Sequence, residues 1–128
     1  MIDFENIKID GIDNSKIISL EEKVKDDTTR PIYVYCADFG NNKVYIGETI
    51  NIEKRMKQHI YTAINGTHPS RIIKKIAKDN PKKVIDAFSN PLILHFNLKG
   101  SKKEALIKEN IFQQMFIDSG YLVLGGNY

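Results

Sequence analysis

The fold is decided by residues 31–59, PIYVYCADFGNNKVYIGETINIEKRMKQH, where two strand patterns and a helix follow one another directly. Residues 32–37 and 44–46 are rich in β-branched and aromatic side chains, and Gly-Asn-Asn at 40–42 is typical of a turn. Asn51 is placed to cap a helix with apolar residues at helical spacing, and Asn65-Gly66 is placed to end it. The segment therefore predicts a β-hairpin followed at once by an amphipathic helix.

The rest of the chain predicts further helices and one more strand. The expected elements are helices at 70–79 and 102–118, a short helix or strand at 82–88, and a strand at 91–96. Ser101 and Glu104 form a capping box for the last helix, and Gly120 ends it. A tight turn joins the first two strands, so antiparallel pairing is natural. We expect an α+β fold with a small three-stranded antiparallel sheet flanked by helices.

The first 29 residues differ from the rest in being polar and rich in Asp, Lys and Ile. We expect them to be an N-terminal arm or extension and residues 30–128 to form one domain, because 128 residues suffice for a single core. Cys36 is the one cysteine and lies in an apolar run, which indicates a small buried side chain without a disulfide partner. No signal peptide or long apolar window is present, so we expect a cytoplasmic protein with no membrane contact.

Positive charge is concentrated in one stretch. The net charge of +3 is small, but residues 71–83 contain six Lys or Arg and one acid, Asp79. A solvated helix face is the commoner meaning of such a run, and a surface for a phosphate backbone is the other. The sequence leaves both meanings open.

Arg55 and His59 lie one turn apart at the edge of an apolar helix stripe formed by Ile52, Met56 and Ile60. At this edge their side chains can point into a cleft. An ordinary amphipathic helix with an arginine reaching to solvent has the same pattern. By itself the spacing does not choose between the two.

Glu109 lies within the apolar face of the last helix. At about 100° per residue it shares one arc with Ala105, Phe112 and Phe116. An unpaired buried carboxylate is costly, so Glu109 needs a partner. That partner is either a metal ion or a cation such as Arg55.

These motifs together resemble the GIY-YIG nuclease superfamily. Residues 31–33 (PIY), 45–47 (YIG) and 55–59 (R-x-x-x-H) follow the family pattern in order, and only the first glycine differs, being Pro31. The run EALIKENI at 104–111 is similar to the family's A-L-x-x-E-x-x-I helix. The resemblance covers roughly residues 31–128.

The resemblance implies a DNA endonuclease, a hydrolase of phosphodiester bonds that uses Mg²⁺ or Mn²⁺. In this reading Glu109 holds the metal, Arg55 stabilises the transition state, and Tyr33 activates water with help from Tyr45 or His59. Gly47 and Asn127 take supporting positions. A zinc cluster is not expected, because His59, His68 and His95 are scattered along the chain. The residues expected to contact DNA phosphates are Lys43, Lys54, Lys57, Arg71, Lys74, Lys75 and Lys78.

Two other readings stay open. One is a catalytically weak module with the same fold that binds nucleic acid or a protein. The other is a small interaction domain in which the tyrosines are core residues, as we expect of Tyr35, and Glu109 pairs with a cation without metal. A nuclease with one site cuts one strand per visit, so cutting both strands would require a homo-oligomer or rebinding.

Overall fold

The computed structural model describes residues 29–125, which form a four-stranded sheet with helices on both faces. Its elements are β1 (Arg30–Gly40), β2 (Lys43–Thr49), α1 (Ile52–Asn65), α2 (Arg71–Asp79), α3 (Pro81–Ser89), β3 (Leu92–Gly100), α4 (Lys102–Asp118) and β4 (Leu122–Val123). Asn127 and the predicted arm, apart from residue 29, lie outside the described residues. None of the helices within 29–125 has the length and apolar character needed to span a membrane.

The sheet has the strand order β3-β1-β2-β4. Strand β1 pairs antiparallel with both β2 and β3, whereas β4 pairs parallel with β2. The α+β class and the flanking helices are confirmed, but the prediction of three antiparallel strands was wrong. Strand β4 has only two residues, which is too short for an alternating pattern to be seen in the sequence.

Local sequence signals place the hairpin and the helix after it as predicted. Asn41 and Asn42, in the turn, both have positive φ, which asparagine tolerates better than most residues. The Asn51 side chain accepts the Lys54 N–H at 3.0 Å, and Gly66 takes the left-handed conformation that ends α1. The stretch 82–88, which the sequence left open, belongs to helix α3.

Alternating side chains of β1 and β2 supply two cores on opposite faces of the sheet. Helices α1, α2 and α3 cover one face, which carries Tyr35 and Tyr45. Helix α4 covers the other, which carries Cys36 and Ile46. Arg55 and His59 therefore come from one helical layer and Glu109 from the other. The β2 strand between the layers is where these side chains can approach each other.

Candidate active site

A cluster of aromatic rings fills the sheet face under α1. His59 is only 3% exposed, and its ring stacks on Phe88 at a centroid distance of 4.4 Å. Tyr45 packs edge-on against His59 at a centroid distance of 4.6 Å, and His68 stacks on His59 at a centroid distance of 5.1 Å. This packing holds the imidazole of His59 in one orientation.

A chain of hydrogen bonds runs through this cluster from the loop before α2. The Ser70 backbone N–H donates to His68 Nδ1 at 2.9 Å. His68 Nε2 lies 2.9 Å from His59 Nδ1, and His59 Nε2 lies 2.7 Å from Tyr35 Oη. His59 and His68 are therefore in contact in space, although they lie nine residues apart in the sequence.

The protonation states of the two histidines determine which atom donates in each of these hydrogen bonds. Burial, with the nearby charge of Arg55, lowers the pKa of His59 to about 3 and that of His68 to about 4, so both rings are neutral at pH 7. A neutral imidazole has one donor and one acceptor nitrogen. Because Ser70 occupies the acceptor of His68, His68 donates to His59, and His59 in turn donates to Tyr35.

Tyr35 Oη is consequently an acceptor for His59, and its own hydrogen points away from the histidine. Burial raises the pKa of Tyr35 and of Tyr45, so both are neutral phenols at pH 7. The ring of Tyr35 stacks on that of Tyr45 with centroids 6.2 Å apart, and the Arg55 guanidinium lies beside both phenols. Two phenols and one permanent cation thus meet at one side of the cluster.

Gly47 allows the phenols to lie this close to β2. It pairs with Tyr35 across the hairpin, and a Cβ at this position would lie 2.6 Å from Tyr35 Oη and 2.8 Å from Tyr35 Cζ. Such contacts are far shorter than carbon and oxygen atoms tolerate, so the tyrosine would have to move. The glycine is required here by close approach.

Glu109 reaches the same region from helix α4 and is 8% exposed. Burial and the negative charge of Glu48 raise its pKa to about 7. Three nearby groups lower the pKa of Glu109 in opposition: the charge of Lys102, the backbone N–H of Glu48 and the charge of Arg55. The buried carboxylate expected from the helix pattern is present, with cations near it.

A groove of about 540 Å³ opens where β2 ends and α1 begins. It is lined by Arg30, Ile32, Glu48, Thr49, Ile50, Arg55 and Lys102. A smaller cavity of about 200 Å³ lies between Arg55 and the two histidines. Arg55 lines both and so connects the groove to the hydrogen-bond chain.

Tyr33 and Glu104 make side-chain contacts that the sequence did not predict. Tyr33 is half-buried and packs on Phe96 with ring centroids 5.0 Å apart, whereas Tyr35, expected only to pack, makes the bond to His59. The Glu104 side chain binds His95 at 2.8 Å and Asn97, although its backbone N–H is capped by Ser101 as predicted.

Sequence reasoning missed four members of the site: Tyr35, His68, Glu48 and Lys102. Tyr35 carries the same period-two signal as Tyr33, so the pattern does not rank them. Lys102 and Glu48 form an ion pair across 54 residues of sequence, for which the chain offers no local signal.

The predicted DNA-contacting residues are exposed or half-buried, and most lie on α1 and α2. Lys43 begins β2, roughly 16 Å from the groove at the other end of that strand. Lys57 pairs with Glu53 at 3.0 Å, one turn earlier on α1. Arg71 lies nearer the ring cluster, since it lines a depression shared with Tyr45 and His68.

The donor set for a metal is a small one. Within residues 29–125 there is no group of three His, Cys, Asp or Glu side chains placed to share an ion. Mg²⁺ is commonly held by one or two carboxylates and several waters. Glu109 and Glu48 offer two carboxylates in this region.

Comparison with known proteins identifies the domain. A family model described as the GIY-YIG catalytic domain matches residues 31–116, which run from β1 into α4. No curated protein and no solved structure matches the chain. The matched segment includes Tyr35, Tyr45, Arg55, His59 and Glu109. Since it spans well over half of the 128 residues, the chain belongs to the GIY-YIG catalytic domain family.

Proposed function

We propose that this protein is a metal-dependent endonuclease that hydrolyses phosphodiester bonds in DNA at the groove beside β2. The observation that carries the proposal is the meeting of Arg55, the two stacked phenols of Tyr35 and Tyr45, and the buried carboxylate of Glu109 around strand β2. These are the groups that phosphoryl transfer to water needs: a cation, a water-orienting oxygen and an anionic ligand.

Arg55 is proposed to stabilise the transition state. Its guanidinium is charged at every relevant pH and is half-buried at the junction of the groove and the smaller cavity. Its Nη1 donates to Gln58 Oε1 at 2.7 Å, which orients the group from its own helix. A preoriented cation in a site with little water acts strongly on the charge that builds on the phosphate oxygens.

The phenols are proposed to orient and deprotonate the attacking water. The water proton passes to a phenol oxygen while that phenol gives its own hydrogen to a phosphate oxygen or to solvent. Tyr35 is the better candidate than Tyr33, because its oxygen lies next to Arg55 and receives a hydrogen bond from neutral His59. His59 acts here as a donor that fixes the orientation of the phenol hydroxyl.

His68 is proposed as a positioning residue for this arrangement. It occupies His59 Nδ1 and so keeps the proton of His59 on Nε2, facing Tyr35. The Ser70 backbone N–H fixes the His68 ring in turn. The orientation of the reacting phenol therefore depends on a loop outside the β-hairpin.

Glu109 is proposed to hold the metal ion, Mg²⁺ or Mn²⁺. The site fits such an ion because the buried carboxylate of Glu109 lies beside a second carboxylate, that of Glu48. Hard oxygen ligands suit both cations. When bound, the ion supplies neutralisation of charge on the phosphate and on the leaving 3′ oxygen.

DNA binding is proposed to depend on the exposed basic face of α2 together with Lys54 on α1. These residues give affinity through phosphates and carry little sequence information. We assign the nuclease domain to residues 30–128 and treat 1–29 as an extension. The start of β1 at Arg30 and of the family match at residue 31 support this boundary.

The test is cleavage of supercoiled plasmid and of single-stranded DNA, each with Mg²⁺ and with EDTA. We expect cutting only with the metal, and loss of cutting in Glu109→Gln. Asp86→Asn, at an exposed acid on α3, is the matched control and should cut like the wild type. Binding of DNA without cutting by folded wild-type protein would favour the catalytically weak module.

A further inference from the structure

Glu48 and Lys102 form an ion pair at the groove, and the proposed function makes neither of them a ligand of the metal. Glu48 is near the end of β2, and its side chain is 12% exposed. Lys102 is the first residue of α4, and its side chain is 42% exposed. Both residues line the groove that contains Arg55.

The side chain of Glu48 lies on the sheet face that is covered by α4, the helix that carries Glu109. Side chains alternate along β2, and the preceding residues on this face, Val44 and Ile46, pack under α4. The backbone N–H and the charge of Glu48 both act on the Glu109 carboxyl, so the two residues are neighbours. The charge of Lys102 acts on both carboxylates.

Two carboxylates in a site with little water repel each other, and the ammonium of Lys102 neutralises only one of the two charges. A divalent ion would neutralise both. Mg²⁺ and Mn²⁺ take hard oxygen ligands, and two carboxylates with waters form a usual set. Lys102 can leave, because its side chain is partly exposed and flexible.

We propose that Glu48 binds the divalent ion together with Glu109, and that the Lys102 ammonium occupies the cation position until the metal replaces it. This inference rests on the proposed function, because it concerns the metal of the same site. It adds a second ligand from β2 and a built-in competitor from α4. The competition makes metal affinity depend on a residue that is not itself a ligand.

The test measures Mn²⁺ binding to the full chain in the absence of DNA. Binding is detected as a loss of the electron paramagnetic resonance signal of free Mn²⁺, and Mg²⁺ is added as a competitor. We expect Glu48→Gln to weaken the Mn²⁺ Kd by roughly 10- to 100-fold, as removal of a metal-site partner commonly does. Lys102→Met should tighten binding at least about threefold, since it removes an opposing charge. Asp86→Asn should leave the Kd unchanged.

The outcomes separate this inference from the proposed function. If Glu109→Gln weakens binding but Glu48→Gln matches the Asp86→Asn control, Glu48 is not a ligand and the inference is overturned while the nuclease proposal stands. If Lys102→Met weakens binding or leaves it unchanged, the competitor role is refuted. Wild-type protein that binds no Mn²⁺ and cuts DNA in EDTA would refute the metal in both proposals.

Discussion

Replacing Tyr35 with phenylalanine tests the buried hydrogen-bond chain directly. The variant keeps the ring and its packing against Tyr45 and His59, and loses only the hydroxyl oxygen. His59 Nε2–H then has no acceptor in place of the 2.7 Å bond, in a site where the imidazole is 3% exposed. An unsatisfied buried donor costs about 1–3 kcal/mol of unfolding free energy. For a domain of this size the Tm falls by roughly 4–8 °C for each kcal/mol.

Tyr33→Phe is the matched control, because the ring of Tyr33 keeps its contact with Phe96 and its hydroxyl takes no part in the hydrogen bonds that join Ser70, the two histidines and Tyr35. We expect this variant to change the unfolding free energy by less than about 0.5 kcal/mol. The assay is urea unfolding of both variants by circular dichroism at pH 7.5, with single-turnover DNA cleavage on the same preparations. Cleavage by Tyr35→Phe should fall by roughly 100-fold or more. Full stability of Tyr35→Phe, or a larger cleavage loss in Tyr33→Phe, would refute the assignment.

Three further predictions concern pH, the glycine of the hairpin and DNA affinity. Between pH 6.5 and 4.5 the unfolded chain takes up protons at His59 and His68 that the folded chain excludes, while the folded chain holds one at Glu109. The net difference is one proton, so the unfolding free energy should fall by about 1.4 kcal/mol for each pH unit on acidification. In Glu109→Gln the difference is two protons, and the fall should be about 2.7 kcal/mol for each pH unit. Urea midpoints that do not change with pH would contradict this. Gly47→Ala should lose about 1–3 kcal/mol and most cleavage, because its Cβ displaces Tyr35, and an active, fully stable variant would exclude the close approach. Changing the lysines of α2 to glutamine should reduce the slope of log affinity against log salt by about 0.7–0.9 each, and an unchanged slope would place the DNA elsewhere.

The sequence predicted those parts of the fold that depend on neighbouring residues. The turn at 40–42, the caps of α1 and the buried carboxylate on α4 each follow from a few adjacent side chains. Turn chemistry, capping and helical periodicity are local effects that a single chain displays. The family motifs lie on these same elements.

What the sequence did not predict depends on contacts between distant segments. Strand β4 is held by bonds from Leu122 and Leu124 to the strand region at 42–44, and two residues carry no pattern of their own. Tyr35 and Tyr33 share one strand face, and only the position of α1 decides which of them meets His59. The position of His68 depends on the path of the loop between α1 and α2, which the sequence does not reveal.

The most direct test of the central claim is Mg²⁺-dependent DNA cleavage by wild-type protein and by Arg55→Ala, compared at equal folded concentration. Arg55 lines both the groove and the cavity beside the histidines, and it lies beside the phenols. The account predicts that wild-type protein cuts DNA and that Arg55→Ala, although folded, loses at least about 100-fold of the rate. Cleavage by Arg55→Ala at the wild-type rate would show that the groove beside β2 is not the active site.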